Sequence, residues 1–193
     1  MTATDELLMQ KVAEGDLGAF RALMGRWEGA AKRYAYRIFG DYQLAEDTAQ
    51  EAFVRVFRAA DRYQPTARFS TYFYTVLGNL CRDRLRAARR RSESGGIFEE
   101  GVELDDVARG RSWERPDREA ERAEERQLVR EAVGGLPAKL MEAVSLREFE
   151  GLSYQEIADV MHANLGEVKT WIHRGRKMLG GRLESILRPE DSR

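Results

Sequence analysis

The segment from Gln43 to Arg91 contains two strongly periodic stretches joined by a short loop around Pro65. Apolar residues recur at steps of three and four in both stretches, which is the spacing of one face of an α-helix. The second stretch is rich in aromatic residues at its start and in arginines at its end. Aromatic rings offer flat faces for unstacked bases, and arginines neutralise phosphates. The segment therefore predicts a helical surface that holds single-stranded DNA, with the rest of the chain supporting or positioning it.

The composition suits compact helical modules with heavily solvated surfaces. Charged residues make up 34% of the 193 residues and apolar residues 42%, which allows one medium domain or two small ones. Cys81 is the only cysteine, so no intramolecular disulfide forms and a reducing compartment is expected. No apolar run is long enough to span a bilayer, and the N-terminal residues lack the pattern of a signal peptide. We expect a soluble, cytoplasmic protein with no membrane insertion.

Capping residues and apolar periodicity define the first three helices. Thr4 and Asp16 are expected N-caps. The apolar stripe of the second helix is expected to run from Leu17 to Phe39, and the inner face of the third helix is expected to end at Phe57. The third helix also exposes a polar, mostly acidic group of side chains in its first turns, namely Glu46, Asp47, Gln50 and Glu51.

A fourth helix begins near Ser70 and presents two stripes. The apolar stripe should face the core and contains Phe73, Val76, Leu77, Leu80 and Cys81. The basic and polar stripe contains Tyr72, Thr75, Asn79, Arg82, Arg86 and Arg89. A solvated basic face beside an ordinary core is the simpler interpretation, but it gives no role to the neighbouring aromatic cluster, so we favour nucleic-acid binding. That cluster consists of Tyr63, Phe69, Tyr72 and Tyr74.

The composition changes after Ser92, where Ser-Glu-Ser-Gly-Gly precedes a stretch rich in Glu, Asp and Arg. Periodicity is weak there, and Pro116 prevents a continuous helix. These features predict an all-α chain of two small helical domains joined by a charged flexible linker. The predicted ranges are 1–92 for the first domain, 93–125 for the linker and 126–193 for the second domain.

The second domain carries two capping boxes at the starts of neighbouring helices. Ser153 and Asn164 each precede a glutamate by three residues, and Pro137 is expected in the first turn of the preceding helix. Two short helices joined by so tight a turn are typical of a helix-turn-helix, whose second helix reads base edges. We expect Leu165 to face inward and Trp171 to point outward within a basic surface. A plain helical hairpin with a solvated charged face is the alternative.

The motifs of both domains resemble bacterial RNA polymerase sigma factors of the sigma-70 family, and in particular the extracytoplasmic-function (ECF) group, which keeps only two sigma domains. The polymerase-binding helix of that group is similar to the run Asp47-Thr-Ala-Gln-Glu-Ala-Phe53. Its promoter-melting helix has the spacing of Phe69, Tyr72, Asn79 and Asp83. Its domain that reads the −35 promoter element resembles Leu152-Ser-Tyr-Gln-Glu-Ile-Ala158, Gly166-Glu-Val-Lys169 and Arg174-Gly-Arg176.

The resemblance implies a role for each of these surfaces. At the −10 element, the melted non-template strand would meet Tyr63, Phe69, Tyr72, Asn79, Arg82, Arg86 and Arg89. At the −35 element, the duplex would meet Glu167, Lys169, Thr170, Trp171, His173, Arg174 and Arg176. The clamp helices of the largest polymerase subunit would meet Asp47, Gln50, Glu51 and Phe53.

The partners that the resemblance implies are core RNA polymerase, through its clamp helices and its flap, promoter DNA, and an anti-sigma factor. We expect no cofactor, metal site or small-molecule substrate and no enzymatic activity, because no spacing of His, Cys or carboxylates matches a metal site or an acid–base pair. Stacking of a flipped base roughly offsets the cost of unstacking it, so melting would need no ATP.

Two alternative functions stay open. A helix-turn-helix regulator that binds duplex DNA without polymerase explains the second domain but leaves the aromatic and basic helix without a role. A module that binds polymerase or an anti-sigma factor without promoter melting is the other alternative, and the density of arginines argues against it.

Three positions depart from the pattern of the family. Tyr72 stands where many relatives carry Trp, so an aromatic ring for stacking is kept. Glu167 stands where Thr is common, and Trp171 where Arg is common. The change at Trp171 removes a phosphate or guanine contact, whereas Glu167 can accept from the amino group of a cytosine.

Overall fold

The computed structural model describes residues 3–93 and 132–187 of the chain. Every regular element in these two ranges is a helix, which confirms the predicted all-α class with two helical halves. The first half comprises α1 (Asp5–Ala13), α2 (Leu17–Phe39), α3 (Tyr42–Arg58), a 3-10 turn (Ala60–Arg62) and α4 (Phe69–Glu93). The second half comprises a helical segment at 132–134 followed by α5 (Ala138–Glu148), α6 (Tyr154–Met161) and α7 (Leu165–Leu187). Within the described ranges, none of the helices combines the length and the apolar character needed to cross a membrane.

Side chains just outside the helices start them as the sequence predicts. The Thr4 hydroxyl accepts from the backbone N–H of Leu7 at 3.3 Å, and the Asp16 carboxylate accepts from that of Gly18 at 2.7 Å. Such bonds satisfy backbone donors that have no partner inside the helix. Gly40 ends α2 in the left-handed conformation, with a φ of 66°, which a glycine adopts without steric cost.

Aromatic side chains from α2 and α4 form much of the core of the first half. The largest buried rings are Tyr34, Phe39, Phe69, Phe73 and Tyr74. Trp27 joins them, with its ring centroid 5.4 Å from those of Phe69 and Phe73 and 5.9 Å from that of Tyr74. Rings at this spacing add to the free energy gained by burying their apolar area. This packing fixes α2 and α4 relative to each other.

Several expected core positions at helix ends are wrong. Leu17, the first residue of α2, is 56% exposed, and Leu165, the first residue of α7, is 39% exposed. Phe57, in the last turn of α3, packs on Phe20 at 4.9 Å but stays 40% exposed. All three lie in a terminal turn, where neighbouring helices cover a side chain less than they do in mid-helix. Pro137 is the N-cap of α5 rather than a residue of its first turn.

The helix-turn-helix consists of α6 and α7, and both predicted capping boxes are present. The N–H of Glu156 donates to the Ser153 hydroxyl at 3.2 Å, and the N–H of Ser153 donates to the Glu156 carboxylate at 2.8 Å. The same two bonds join Asn164 and Glu167 at 2.9 and 3.0 Å. Between the boxes, His162 turns the chain in the left-handed conformation, with a φ of 51°.

The two halves pack against each other, with α6 on α4 and α5 on α2. This contact covers part of the face of α4 that the sequence assigns to DNA. The predicted linker, 93–125, lies outside the described residues except for Glu93, the last residue of α4. The predicted domain boundaries therefore stay a prediction.

Candidate nucleic-acid interface

An open cavity of about 410 Å³ lies beside the start of α4. Its lining consists of Ala59, Arg62, Tyr63, Gln64 and Tyr72. The rings of Tyr63 and Tyr72 lie 5.1 Å apart between centroids and are inclined by 59°. Burial raises the pKa of both phenols, so both hydroxyls are protonated at neutral pH. With the exposed guanidinium of Arg62 beside the two rings, the cavity suits a planar ring attached to an anionic group.

Phe69 lies beneath this cavity rather than in it. Its side chain is 1% exposed, and its ring packs on Phe73 at 5.8 Å with the planes inclined by 27°. Its centroid lies 6.4 Å from that of Tyr63 and 6.3 Å from that of Tyr72. The expected contact between Phe69 and DNA is therefore corrected: Phe69 supports the two tyrosines from the core. Tyr74 is likewise buried, at 1% exposed, and not part of a surface cluster.

The second half of the chain covers part of the basic stripe on α4. Arg82 donates to Asn79 Oδ1 at 2.7 Å, to the backbone carbonyl of Val160 at 3.1 Å and to the carboxylate of Glu142. In this arrangement Arg82 is occupied by protein acceptors. The later arginines of the stripe stay exposed, namely Arg86 and Arg89.

Glu142 of α5 brings a carboxylate to the position where a DNA phosphate is expected. Its side chain is 7% exposed, and it also accepts from the Tyr34 hydroxyl at 3.1 Å. The carboxylate passes close to Gly78, where an added Cβ would lie 3.0 Å from Glu142 Oε1. Burial raises the pKa of Glu142, and the opposing effects of Arg82 and Tyr34 are smaller. The buried charge is therefore only partly compensated.

Two further carboxylates of the second half contact the first half. Glu150, whose side chain is 8% exposed, accepts from Arg37 and from the Tyr74 hydroxyl. Burial lowers the pKa of Arg37, against the opposing effect of Glu150. Glu156, which closes a capping box, also accepts from the Thr71 hydroxyl at 3.4 Å. The contact between the halves thus includes three carboxylates that face hydroxyls and guanidinium groups.

The outward face of α7 carries exposed basic side chains near its N-terminal half. Three of them have no ion-pair partner among the described residues, namely Lys169, His173 and Arg174. Arg176, two turns after Lys169, pairs instead with the exposed Glu148 at 2.5 Å. The Thr170 hydroxyl donates to the Gly166 carbonyl at 2.9 Å, inside the helix.

Two of the residues predicted to read the −35 element have structural contacts. Glu167 accepts from the N–H of Asn164 in its capping box, so its carboxylate helps to start α7. Trp171 is half-buried and packs against the core, with Lys139 Nζ 5.5 Å from its ring centroid. The expectation that Trp171 points freely outward is therefore wrong. Lys139 covers the ring, which removes the cost of exposing it.

Three of the four predicted polymerase-binding residues lie on the surface of α3. Asp47 and Gln50 are exposed, and Glu51 is half-buried. A hydrogen bond from Arg55 at 2.7 Å lowers the pKa of Glu51, which is therefore ionised at neutral pH. Phe53 is 3% exposed and belongs to the core, so its predicted contact with polymerase is corrected.

The sequence interpretation missed two apolar residues on the same face of α3. Val54 is 45% exposed and Phe57 is 40% exposed. They continue the polar stripe at steps of three and four after Gln50. The sequence feature that could have predicted this surface is Val54, an apolar residue on the polar stripe of an amphipathic helix. Arg62, beside the cavity, was also missed.

Across 3–93 and 132–187, no three His, Cys, Asp or Glu side chains come together in a way that would hold a metal ion. Cys81 is buried, and burial raises the pKa of its thiol, so it packs as a small apolar residue.

Comparison with known proteins gives a consistent result over nearly the whole chain. The families sigma-70 region 2 and sigma-70 region 4 match residues 23–91 and 126–179. The RNA polymerase sigma-H factor of Pseudomonas aeruginosa is 33% identical over 185 residues, which cover 95% of this chain and 96% of that protein. The ECF RNA polymerase sigma-E factor of Escherichia coli is 31% identical over 192 residues, which cover 96% of this chain and 97% of that protein.

Solved structures show the same fold. CnrH, solved in complex with the cytosolic domain of CnrY, has a TM-score of 0.65 at 26% identity and covers 95% of this chain and 99% of that chain. The sigma factor RpoE from Bartonella quintana, solved with the anti-sigma factor NepR, has a TM-score of 0.68 at 20% identity. That match covers 86% of this chain and 96% of that chain.

Region 2 and region 4 in this order, on a chain that aligns over most of its length with sigma factors, define the class of protein. The chain belongs to the sigma-70 family of RNA polymerase sigma factors, within the ECF group. As such a factor it directs promoter-specific transcription initiation. The alternative of a helix-turn-helix regulator that acts without polymerase is not favoured, because it leaves region 2 unexplained.

Proposed function

We propose that the cavity between Tyr63 and Tyr72 captures one unstacked base of the −10 non-template strand. This cavity carries the proposal, because it places two aromatic rings and the exposed Arg62 at the start of α4. Stacking on an aromatic ring is worth about 1–3 kcal/mol per base, and unstacking a base costs a few kcal/mol. Base capture therefore offsets much of the cost of opening the duplex. The exposed Arg86 and Arg89 continue along α4 and hold the adjoining phosphates.

The outward face of α7 binds the −35 duplex on this proposal. Lys169, His173 and Arg174 are available for phosphates and base edges. Glu167 has two roles, since it caps α7 and stands where its carboxylate can accept from a cytosine amino group. Trp171 holds α7 against α5 and thereby sets the angle at which the exposed cations approach DNA.

The exposed stripe of α3 binds core polymerase. Asp47, Gln50 and Glu51 supply polar and acidic groups, and Val54 adds an apolar centre. Acidic side chains suit basic clamp helices on the largest subunit, and an exposed apolar residue within a polar stripe is typical of a docking surface. Region 4 contacts the polymerase flap, and the factor itself performs no chemical step.

The packed arrangement of the two halves is a closed state on this proposal. Arg82 and Asn79 reach the −10 strand only after α6 and Glu142 move away from α4. A protein of the anti-sigma class would hold this state, and CnrH, at 26% identity, was solved in complex with a domain of a second protein. Core polymerase and promoter DNA, both cytoplasmic, would favour the open state.

The test begins with run-off transcription from a randomised promoter library by core polymerase with and without the protein. The selected promoter is then labelled with 2-aminopurine at each −10 position, since its fluorescence rises when the base unstacks. Tyr72→Ala should lower the yield of open complex roughly 10- to 100-fold through lost stacking. Binding to core polymerase should be unchanged.

Tyr42→Ala is the matched control, because Tyr42 is an exposed tyrosine at the start of α3, whereas the cavity lies beyond the end of that helix. If Tyr72→Ala opens promoters as well as Tyr42→Ala does, base capture in this cavity is wrong. Core binding without any transcript from the unmodified protein would instead favour a module that acts without melting.

A further inference from the structure

The first turn of α4 receives its acceptor from a distant part of the chain. The carboxylate of Glu6 accepts from the backbone N–H of Phe69 at 2.9 Å, across 63 residues. Arg68, which immediately precedes α4, carries no side-chain acceptor and cannot cap the helix. A negative charge at this place also complements the partial positive charge of a helix N-terminus. The start of α4 is therefore held by α1.

Glu6 is itself held firmly. The neighbouring Asp5 accepts from Arg26 at 2.7 Å and from Trp27 Nε1 at 2.9 Å, and both donors belong to α2. Met9, one turn further along α1, is fully buried. The bond from Phe69 lowers the pKa of Glu6, so its carboxylate is ionised at neutral pH. These contacts fix the position of the charge relative to the core.

Glu6 reaches both sides of the cavity. On one side, Phe69 carries the backbone N–H that Glu6 binds, and its ring supports Tyr72 at 6.3 Å. On the other side, the charge of Glu6 adds to burial in raising the pKa of Tyr63. α1 also contacts the 3-10 turn that leads into Tyr63. Glu6 is thus connected to Tyr72 through Phe69, and the helix that carries Glu6 contacts the turn before Tyr63.

We propose that Glu6 is a positioning residue for promoter melting, which holds the first turn of α4 and the Tyr63–Tyr72 pair in the geometry that accepts a base. This inference rests on the proposed capture of a base in the cavity. Glu6 lies outside the range 23–91 that region 2 matches, so the family match by itself assigns it no role.

The experiment uses the full chain bound to core polymerase and a single-stranded −10 oligonucleotide with 2-aminopurine at the captured position. Glu6→Ala should weaken binding of this strand about tenfold, in line with the loss of a charged helix cap. Glu6→Gln keeps an acceptor for the N–H of Phe69 and should recover most of the loss. Glu14→Ala removes an exposed carboxylate from the end of the same helix and should bind as the unmodified chain does.

Affinity for the −35 duplex distinguishes a positioning role of Glu6 from a general role in stability. A positioning role leaves affinity for the −35 duplex and for core polymerase unchanged in Glu6→Ala. If these affinities fall together with −10 binding and Glu6→Gln gives no recovery, Glu6 is merely structural and the inference is overturned. If Glu6→Ala binds the −10 strand as tightly as Glu14→Ala does, while the unmodified chain shows the fluorescence rise, the role of Glu6 is wrong and base capture in the cavity still holds. If the unmodified chain shows no rise at any −10 position, base capture fails as well.

Discussion

Replacing Glu150 with Gln should separate the two halves of the chain. Glu150 accepts from Arg37 and Tyr74, and the side chain of Arg37 is only 12% exposed. The Nε of Arg37 already has no hydrogen-bond partner in the described part of the chain. Gln keeps the size of Glu but removes the charge, so Arg37 becomes an uncompensated buried cation as long as the halves stay packed. Separation exposes Arg37 to water and removes this cost.

The size of the effect follows from the surroundings of Arg37. Removing one partner of a buried ion pair costs about 3–5 kcal/mol. Two features reduce this cost: the Phe149 ring lies 4.4 Å from the guanidinium, and an open cavity of about 320 Å³ beside Glu150 admits water. We therefore expect the closed state to lose about 2–3 kcal/mol, which is roughly a 30- to 150-fold shift towards separated halves.

Small-angle X-ray scattering measures the separation directly, as an increase in the radius of gyration of Glu150→Gln. Free Glu150→Gln should also bind a single-stranded −10 oligonucleotide more tightly, because separation frees Arg82. Glu148→Gln, which breaks an exposed pair with Arg176, should change neither quantity, since exposed pairs contribute at most about 1 kcal/mol. Arg37→Met combined with Glu150→Gln removes both charges and should restore the closed dimensions. A folded Glu150→Gln variant with unchanged dimensions refutes the reasoning.

Three other predictions concern packing, docking and pH. Gly175→Ala should destabilise the helix-turn-helix in urea unfolding by about 1–2 kcal/mol. The added Cβ would lie 2.5 Å from Val144. The resulting overpacking outweighs the gain of about 1 kcal/mol in helix propensity. Gly180→Ala, where nothing lies within 4 Å, should show only the gain. Val54→Lys should weaken core polymerase binding in a titration, because it replaces the exposed apolar residue of the α3 stripe with a positive charge. Leu17→Lys, at another exposed apolar position, should leave this binding unchanged. The bond from Phe69 lowers the pKa of Glu6, so its contribution to stability should be complete above its ordinary pKa of 4.5 and disappear as pH falls through the lowered folded value. Glu6→Gln should remove this part of the acid dependence of unfolding, and an unchanged acid profile would contradict the bond.

Helix ends and the helix-turn-helix are predictable from the sequence because they depend on residues within one turn. The capping boxes at Ser153 and Asn164 need only four residues each, and both form as predicted. The existence of α4 and its two stripes follows in the same way from spacing alone. Local pattern therefore accounts for most of the fold.

The burial of Phe53 follows from its place on the inner face of α3, between Ala49 and Val56, whereas that of Phe69, the first residue of α4, does not follow from local pattern. Whether such a ring is covered depends on another helix, and for Phe69 the cover includes Trp27 of α2. The contacts of Glu142 are still harder to predict, since Tyr34 lies 108 residues away in the sequence and no spacing rule connects the two residues. The sequence thus predicts which helix face forms the candidate site. It does not predict that Arg82 is bound by protein acceptors or that Phe69 supports the site from the core.

The contact between the halves and the proposed contact with DNA use the same chemistry at Arg82. Leaving Glu142 for a phosphate exchanges one charge-assisted hydrogen bond for another, so the exchange itself changes the free energy little. Burial raises the pKa of Glu142, against the opposing effects of Arg82 and Tyr34. Opening must also break the contacts of Glu150 with Arg37 and Tyr74 and the packing of α6 on α4 and of α5 on α2. The ion pair of Glu150 contributes about 2–3 kcal/mol to this cost, whereas a stable protein interface supplies about 12 kcal/mol at nanomolar affinity. Because the α3 stripe is exposed in the closed state as well, contacts of α3 alone do not select between the two states. On the proposed function, polymerase and promoter DNA favour the open state through the contacts that the two halves make only after they separate.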